Sequence, residues 1–238
     1  MNSPEENITE RKAVITGGSS GIGLATAELF SSLNIKVVSA DLKPPGNPSP
    51  GIYHFNVDVS RPEDINMLYK NVVELVGHPD ILICNAGKGI HEKLSEGDPE
   101  KWAGIIETNL MGALRVIRAF VPDMIKNGSG DVVFISSVSA EKPYEWGGVY
   151  SATKIALEAI AESLRLEVQP SIRVTTIVPG VVDTAFFKNM IGGPNSLDEI
   201  GYGALNAAEV ADAIVYAISR PKGVAMNKMV IRPAAQPF

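Results

Sequence analysis

Cys84 is the only cysteine in this chain, which excludes an intrachain disulfide and a cysteine metal cluster. No apolar run approaches the ~20 residues of a membrane-spanning helix. No block of Lys or Arg stands out, and the net charge is −6, so nonspecific nucleic-acid binding is excluded as a main role. No secretory leader pattern opens the sequence. With the lone cysteine, that gives an expectation of a cytoplasmic protein. No second ligand stands near His91 at metal spacing, so this histidine reads as a solvated loop residue and no metal site is expected. Internal repeats, low-complexity tracts and a second domain are also missing.

What is present suits one large α/β domain. Over 238 residues, 45% are apolar and 20% charged, enough for a well-buried core. The first ten residues are polar, carry Pro4, and read as a frayed tail, which leaves 11–238 as a single domain. Short apolar strands are expected at 12–16, 36–40, 52–57, 80–84, 131–135, 172–178 and 228–232, with helical patterns between them. Ser60 reads as the N-cap of a helix with Pro62 in its first turn and Glu63 completing the cap. One long helix is expected from about 99 to 126. Strand and helix alternate six times and the chain closes on a strand. That order predicts a doubly wound, mostly parallel sheet of about seven strands with helices on both faces, a Rossmann-type arrangement.

Chemistry enters at the strand ends. After the first strand come Gly17, Gly18, Ser19, Ser20, Gly21, Ile22 and Gly23, then a helix. A glycine turn lets the backbone approach a pyrophosphate, and the helix N-terminus offers free N–H groups with a partial positive charge. The same composition also fits a β–α turn without a ligand. Asp41 closes the second strand about 20 residues on, where a carboxylate can accept hydrogen bonds from ribose hydroxyls and would repel a 2′-phosphate. That favours NAD over NADP, although Lys43 is close. Asn85, Ala86 and Gly87 supply small residues at the end of the fourth strand, where open α/β sheets bind ligands. Cys84, inside an apolar run, reads as core packing. Asn109 falls within an apolar helical pattern and is either a packing anchor or part of a polar relay. Tyr150 and Lys154 stand four apart on one helix face, so a phenol and an ammonium share one space. In that arrangement the cation lowers the tyrosine pKa from its usual ~10 toward working pH. Ala152, Ala156, Ala159 and Ser163 form a small-residue stripe, read as a core or subunit contact. Residues 184–206, with Phe186, Phe187, Met190 and Ile191, read as an amphipathic lid.

Taken in order, residues 16–23, Asp58 with Val59, Asn85 to Gly87, Asn109, Ser137, Tyr150 with Lys154, and Pro179, Gly180 and Thr184 resemble the short-chain dehydrogenase/reductase family, classical type, over about residues 10–232. Cys84 departs from the asparagine the family often carries there. The resemblance implies an NAD(P)-dependent oxidoreductase acting on a small alcohol or carbonyl substrate. It implies Ser137 as the hydroxyl that holds the substrate oxygen, preferred over Ser136 because it stands 13 positions before Tyr150. It implies Tyr150 as acid/base, Lys154 as the cation that tunes it and binds the nicotinamide ribose, and Asn109 as holder of a water relay. Thr184 and the backbone near Val182 would hold the carboxamide, and Pro179 and Gly180 belong to the same motif. Asp58 and Val59 would flank adenine, and Asn85 to Gly87 the adenosine side. A homotetramer or homodimer is implied as well. A nucleotide-binding regulatory or scaffold protein of the same fold is the competing expectation, opposed by the intact Ser137, Tyr150 and Lys154.

Overall fold

The computed structural model describes residues 8–47, 49–193 and 201–237. Seven strands form one parallel sheet in the order β3-β2-β1-β4-β5-β6-β9. They are β1 (Lys12–Thr16), β2 (Lys36–Asp41), β3 (Ile52–Asn56), β4 (Ile81–Cys84), β5 (Gly130–Ile135), β6 (Ile172–Pro179) and β9 (Lys228–Ile231). The helices are α1 (Gly21–Ser32), α2 (Pro62–Val76), α3 (Pro99–Ile106), α4 (Gly112–Asn127), α5 (Gly148–Val168), α6 (Ala185–Lys188) and α7 (Ala207–Ile218). The doubly wound sheet inferred from the alternation is therefore the observed fold. Two short strands, β7 (Val182–Asp183) and β8 (Leu205–Asn206), pair in parallel beside it. Strands of two residues carry no periodic signal and were not expected.

Both faces of the sheet are covered, which is why its strands read as continuous apolar runs rather than alternating ones. One face packs Val14, Val38, Leu82, Val132 and Val174 against α2, α4 and α5. The other packs Ala13, Ile15, Val37, Ile83 and Ile177 against α1 and α7. Ile8 is fully buried in this second layer. The expected tail to residue 10 is corrected accordingly: the packed chain already includes residue 8, while 1–7 lie outside the described residues. The strand order reverses direction between β1 and β4, and a crevice opens there at the carboxyl ends of the strands.

The opposite ends of the strands are closed by charge. Asp131, at the start of β5, is 3% exposed. Arg173 grips it with two guanidinium nitrogens, Nε to Oδ1 at 2.7 Å and Nη2 to Oδ2 at 3.0 Å. Arg11 Nη2 meets Oδ2 at 2.7 Å. The two arginines also donate to the carbonyls of Asp80, Ile218 and Arg220, so the ion cluster joins the loops beneath four strands.

Two helix boundaries differ from expectation. The N-cap of α2 is Arg61, with no side-chain cap bond. Ser60 instead turns back, donating its hydroxyl to Asp58 Oδ1 at 2.6 Å. The expected long helix is broken by a π-helical turn, Glu107–Met111, between α3 and α4. A π turn inserts one residue into the ladder, and a single insertion leaves the apolar spacing on either side intact.

Candidate active site

A cleft of about 1090 Å³ runs along the carboxyl ends of the strands. At its centre α1 begins directly after the glycine turn. Gly17 has φ +66°, and its N–H donates to Ala40 O at 2.8 Å. A Cβ on Gly23 would lie 2.1 Å from Gly17 O, so helix and turn approach too closely for any side chain. Ser20 is the N-cap but makes no side-chain cap bond, and no acid stands in the first turn. The helix N-terminus thus keeps its positive end for a ligand. Asp41 borders the same turn and accepts from Ser19 N at 3.0 Å. Ser19, Gly21, Ile22, Asp58, Val59, Ala86 and Gly87 line the cleft around them.

Asn85 braces this turn. Its Nδ2 donates to Thr16 O and Gly17 O, both at 2.9 Å, and its N–H donates to Thr16 Oγ1 at 3.1 Å. Its amide nitrogen is thereby committed to the protein's own backbone. The Asp58 carboxylate is similarly engaged, by Ser60 N at 2.9 Å and the Ser60 hydroxyl. Burial pushes the Asp58 carboxyl up, yet these bonds outweigh it and hold the group below its usual range.

The second half of the site hangs from β5. Ser137 follows that strand as the cap of a short 3-10 turn; its Oγ accepts from Ser139 N at 3.2 Å. Ser136 points elsewhere, donating to Glu158 Oε1 at 2.8 Å. Tyr150 sits in the first turn of α5, 7% exposed, with Lys154 one turn on, 5% exposed. Lys154 Nζ donates to Ile135 O at 2.7 Å and lies 5.7 Å from the centre of the Tyr150 ring. Ser137, Tyr150 and Lys154 therefore meet in one cleft; Ser136 borders it too, but its hydroxyl is committed to Glu158.

The expected electrostatics are corrected here. The Tyr150 phenol is pushed well above its ordinary value by burial, only partly offset by a hydrogen bond with the Ser137 side chain. Burial also lowers Lys154 to about 8. Desolvation penalises both charged forms, and it wins over helical proximity. With the groups of this chain alone, the phenol stays protonated at neutral pH.

Asn109 sits within the π turn, 2% exposed. Its Oδ1 accepts from Lys88 N at 2.7 Å, and its Nδ2 donates to Lys88 O at 2.9 Å and Thr153 Oγ1 at 3.1 Å. The side chain is thus an anchor that joins the loop after β4 to α5, rather than a direct partner of Lys154.

Beyond Tyr150 the cleft is walled by Tyr144, Trp146, Phe186, Phe187 and Met190. His91 belongs to this wall, which corrects its reading as a solvated residue. Its ring lies 5.2 Å from that of Trp146, and its nitrogens face the carbonyls of Gly192 and Glu145 at 3.2 and 3.1 Å. The bridge between Ile90 and Ile191 brings residues 185–193 over the cleft. Of the rest of the expected lid, 194–200 lie outside the described residues, Tyr202 lines the cleft, and 205–206 form the short strand β8 rather than a lid. Thr184 caps α6 and overlies the glycine turn, 3.1 Å from where a Cβ on Gly21 would stand. Val182 and Pro179 line the facing wall with Gly180. Gln236 also lines it and was not foreseen; one glutamine after the last strand carries no periodic or motif signal.

The family model described as short chain dehydrogenase matches residues 11–193. This chain belongs to the short-chain dehydrogenase family. As a dehydrogenase of that family it is an oxidoreductase, and the family uses nicotinamide cofactors. Among its relatives, an uncharacterized oxidoreductase of Staphylococcus epidermidis is 33% identical over 239 residues, covering 95% of this chain and 98% of that one. One from Staphylococcus haemolyticus is 34% identical over 236 residues, with the same coverage. Among solved structures, an alcohol dehydrogenase from the archaeon Thermococcus sibiricus, complexed with 5-hydroxy-NADP, superposes with a TM-score of 0.83 at 27% identity, covering 96% of this dehydrogenase and 98% of that chain. The closed form of a serine dehydrogenase with NADP+ gives 0.88 at 26%, covering 95% and 96%.

Proposed function

We propose that this dehydrogenase moves a hydride between NAD and a small alcohol or carbonyl compound, with Tyr150 passing the proton. The observation that carries the reading is the joint placement of Ser137 and Tyr150 beside an uncapped helix N-terminus, with the Lys154 ammonium fixed on Ile135 O. A binding module has no use for a buried lysine held beneath a buried phenol.

The cleft fits a dinucleotide on its own geometry. The N-terminus of α1 presents Gly21, Ile22 and Gly23 to a pyrophosphate, with Gly17, Ser19 and Ser20 forming the turn. Asp41 serves the adenosine ribose, Asp58 and Val59 the adenine side, and Ala86 and Gly87 the floor braced by Asn85. Lys154 serves the second ribose, and Thr184 with the Val182 backbone the carboxamide. When bound, the cofactor supplies hydride-accepting and hydride-donating chemistry. The protein's own part is position and proton. Ser137 and Tyr150 converge on one substrate oxygen. A protonated Tyr150 is ready to donate to a carbonyl oxygen, so reduction needs no prior ionisation, whereas oxidation of an alcohol needs the phenolate. Lys154 favours that phenolate, and Asn109 holds the loop and helix that frame the pair. The walls of Tyr144, Trp146, Phe186, Phe187 and Met190 suit a substrate with an apolar body.

NADP is the second reading, favoured by the ligands of the two solved relatives and by Lys43, which lines the cleft near Asp41. Titration with NADH and NADPH, followed by nicotinamide fluorescence, decides between them. Tighter NADH binding, reversed or levelled in Asp41→Ala, supports the carboxylate argument; tighter NADPH binding in the parent refutes it. For assembly we propose a homo-oligomer joined through α5, where Ala152, Ala159 and Ser163 are exposed together with Ile155 and Leu166.

A further inference from the structure

The wall facing the glycine turn is the segment from Pro179 to Val182, where β6 ends and β7 begins. Two backbone bonds hold it: Gly180 N donates to Ile231 O at 2.7 Å, and Leu205 N donates to Val181 O at 2.8 Å. The third bond differs in kind. Val181 N donates to Oε1 of Gln236 at 3.1 Å, a buried contact across 55 residues of chain. Gln236 is 4% exposed, and its own N–H donates to Pro233 O at 2.9 Å, closing a turn after β9. Glutamine is seldom buried this far, because its carboxamide must then find partners inside the protein.

The fit is mutual. A Cβ on Gly180 would stand 2.1 Å from Gln236 Oε1 and 2.7 Å from Arg232 Cβ. The glutamine oxygen therefore occupies the space a side chain at 180 would need, and a backbone donor fixes which end of the carboxamide points inward. Gln236 meanwhile borders the same cleft as Tyr150 and Thr184.

We propose that Gln236 is a positioning residue for the cofactor-facing wall. By accepting from Val181 it sets the peptide plane that leads into Val182 and Thr184, the groups assigned above to the nicotinamide carboxamide. This rests on the nicotinamide reading, which the parent's own NADH and NADPH titrations test separately: a parent that binds neither loses that reading.

The test compares the parent with Gln236→Met, which keeps volume and removes the acceptor, and Gln236→Ala. Hydrogen exchange of the cofactor-free parent is expected to show Val181 N–H protected, and Gln236→Met to exchange it at least about 10-fold faster with Val178 unchanged. The affinity for the parent's preferred cofactor, by nicotinamide fluorescence, is expected to fall about 5- to 20-fold in both variants. With saturating cofactor, kcat is expected to stay within about 3-fold, so the loss shows in the cofactor KM. Fast exchange of Val181 in the parent overturns the proposal without any variant. So does unchanged cofactor affinity in Gln236→Met. A uniform loss of protection, melting temperature and kcat marks a merely structural glutamine and overturns it too.

Discussion

At the scale of single residues, burial decides how the site behaves. Removing the phenolic oxygen in Tyr150→Phe leaves the ring packing and deletes the proposed proton route, so turnover is expected to drop by about 10²- to 10⁴-fold with cofactor affinity little changed. Stopped-flow reduction and a fluorescence titration read the two quantities. Lys154 carries a cost in stability. Burial lowers it from 10.5 to about 8, so the unfolded chain binds more protons between those values and stability rises with pH across that window. Below pH 8 the full penalty stands, about 3 kcal/mol from the size of the shift. Lys154→Met is therefore expected to be inactive yet more stable than the parent in urea at pH 7, with the gap narrowing toward pH 10. The raised Tyr150 phenol predicts a direction for catalysis as well. Carbonyl reduction should be steady through neutral pH and fall in alkali, while alcohol oxidation should climb with pH; initial rates in both directions check this. The sequence made Tyr150 and Lys154 legible through their four-residue spacing. It could not reveal the sign of the shifts, because desolvation depends on what the rest of the chain packs over them.

At the scale of elements, the π turn matters most. Asn109 there makes three bonds, two of them to the backbone of Lys88. Asn109→Leu keeps the bulk and strands both Lys88 groups, at an expected cost of about 2–4 kcal/mol, readable as a lower urea midpoint at unchanged slope. The identity of Asn109 as a buried polar residue was readable from its place in an apolar pattern. The interruption around it was not, since one inserted residue shifts the helical phase by less than the width of an apolar stripe. The same reasoning covers Ser60, whose sequence fits a helix cap but whose hydroxyl finds a stronger acceptor in Asp58. The seven strands of the sheet, by contrast, were placed to within a residue or two, because burial on both faces imprints itself on many positions at once.

At the scale of the whole molecule, the sheet keeps its chemistry at one end and its ionic clasp at the other. Asp131→Ala leaves Arg173 and Arg11 without their shared carboxylate, and is expected to cost about 3–5 kcal/mol. Calorimetry should show the loss, while kcat per folded molecule stays near that of the parent. The exposed small stripe of α5 makes its prediction at this scale too. Ala159→Arg is expected to lower the mass measured by light scattering, with the secondary structure retained. The parallel topology was legible from alternation alone; the clasp was not, since Arg11, Asp131 and Arg173 are brought together only by the pairing of the strands.

The clasp also bears on how such a protein can change its trade. Reserves of stability held far from the cleft can be spent on new walls around the substrate without disturbing the frame that carries them. Redesign for a new substrate could therefore reinforce the amino ends of β5 and β6 first, then vary Tyr144, Trp146, Phe186, Phe187 and Met190, which line the cleft at the other end of the sheet.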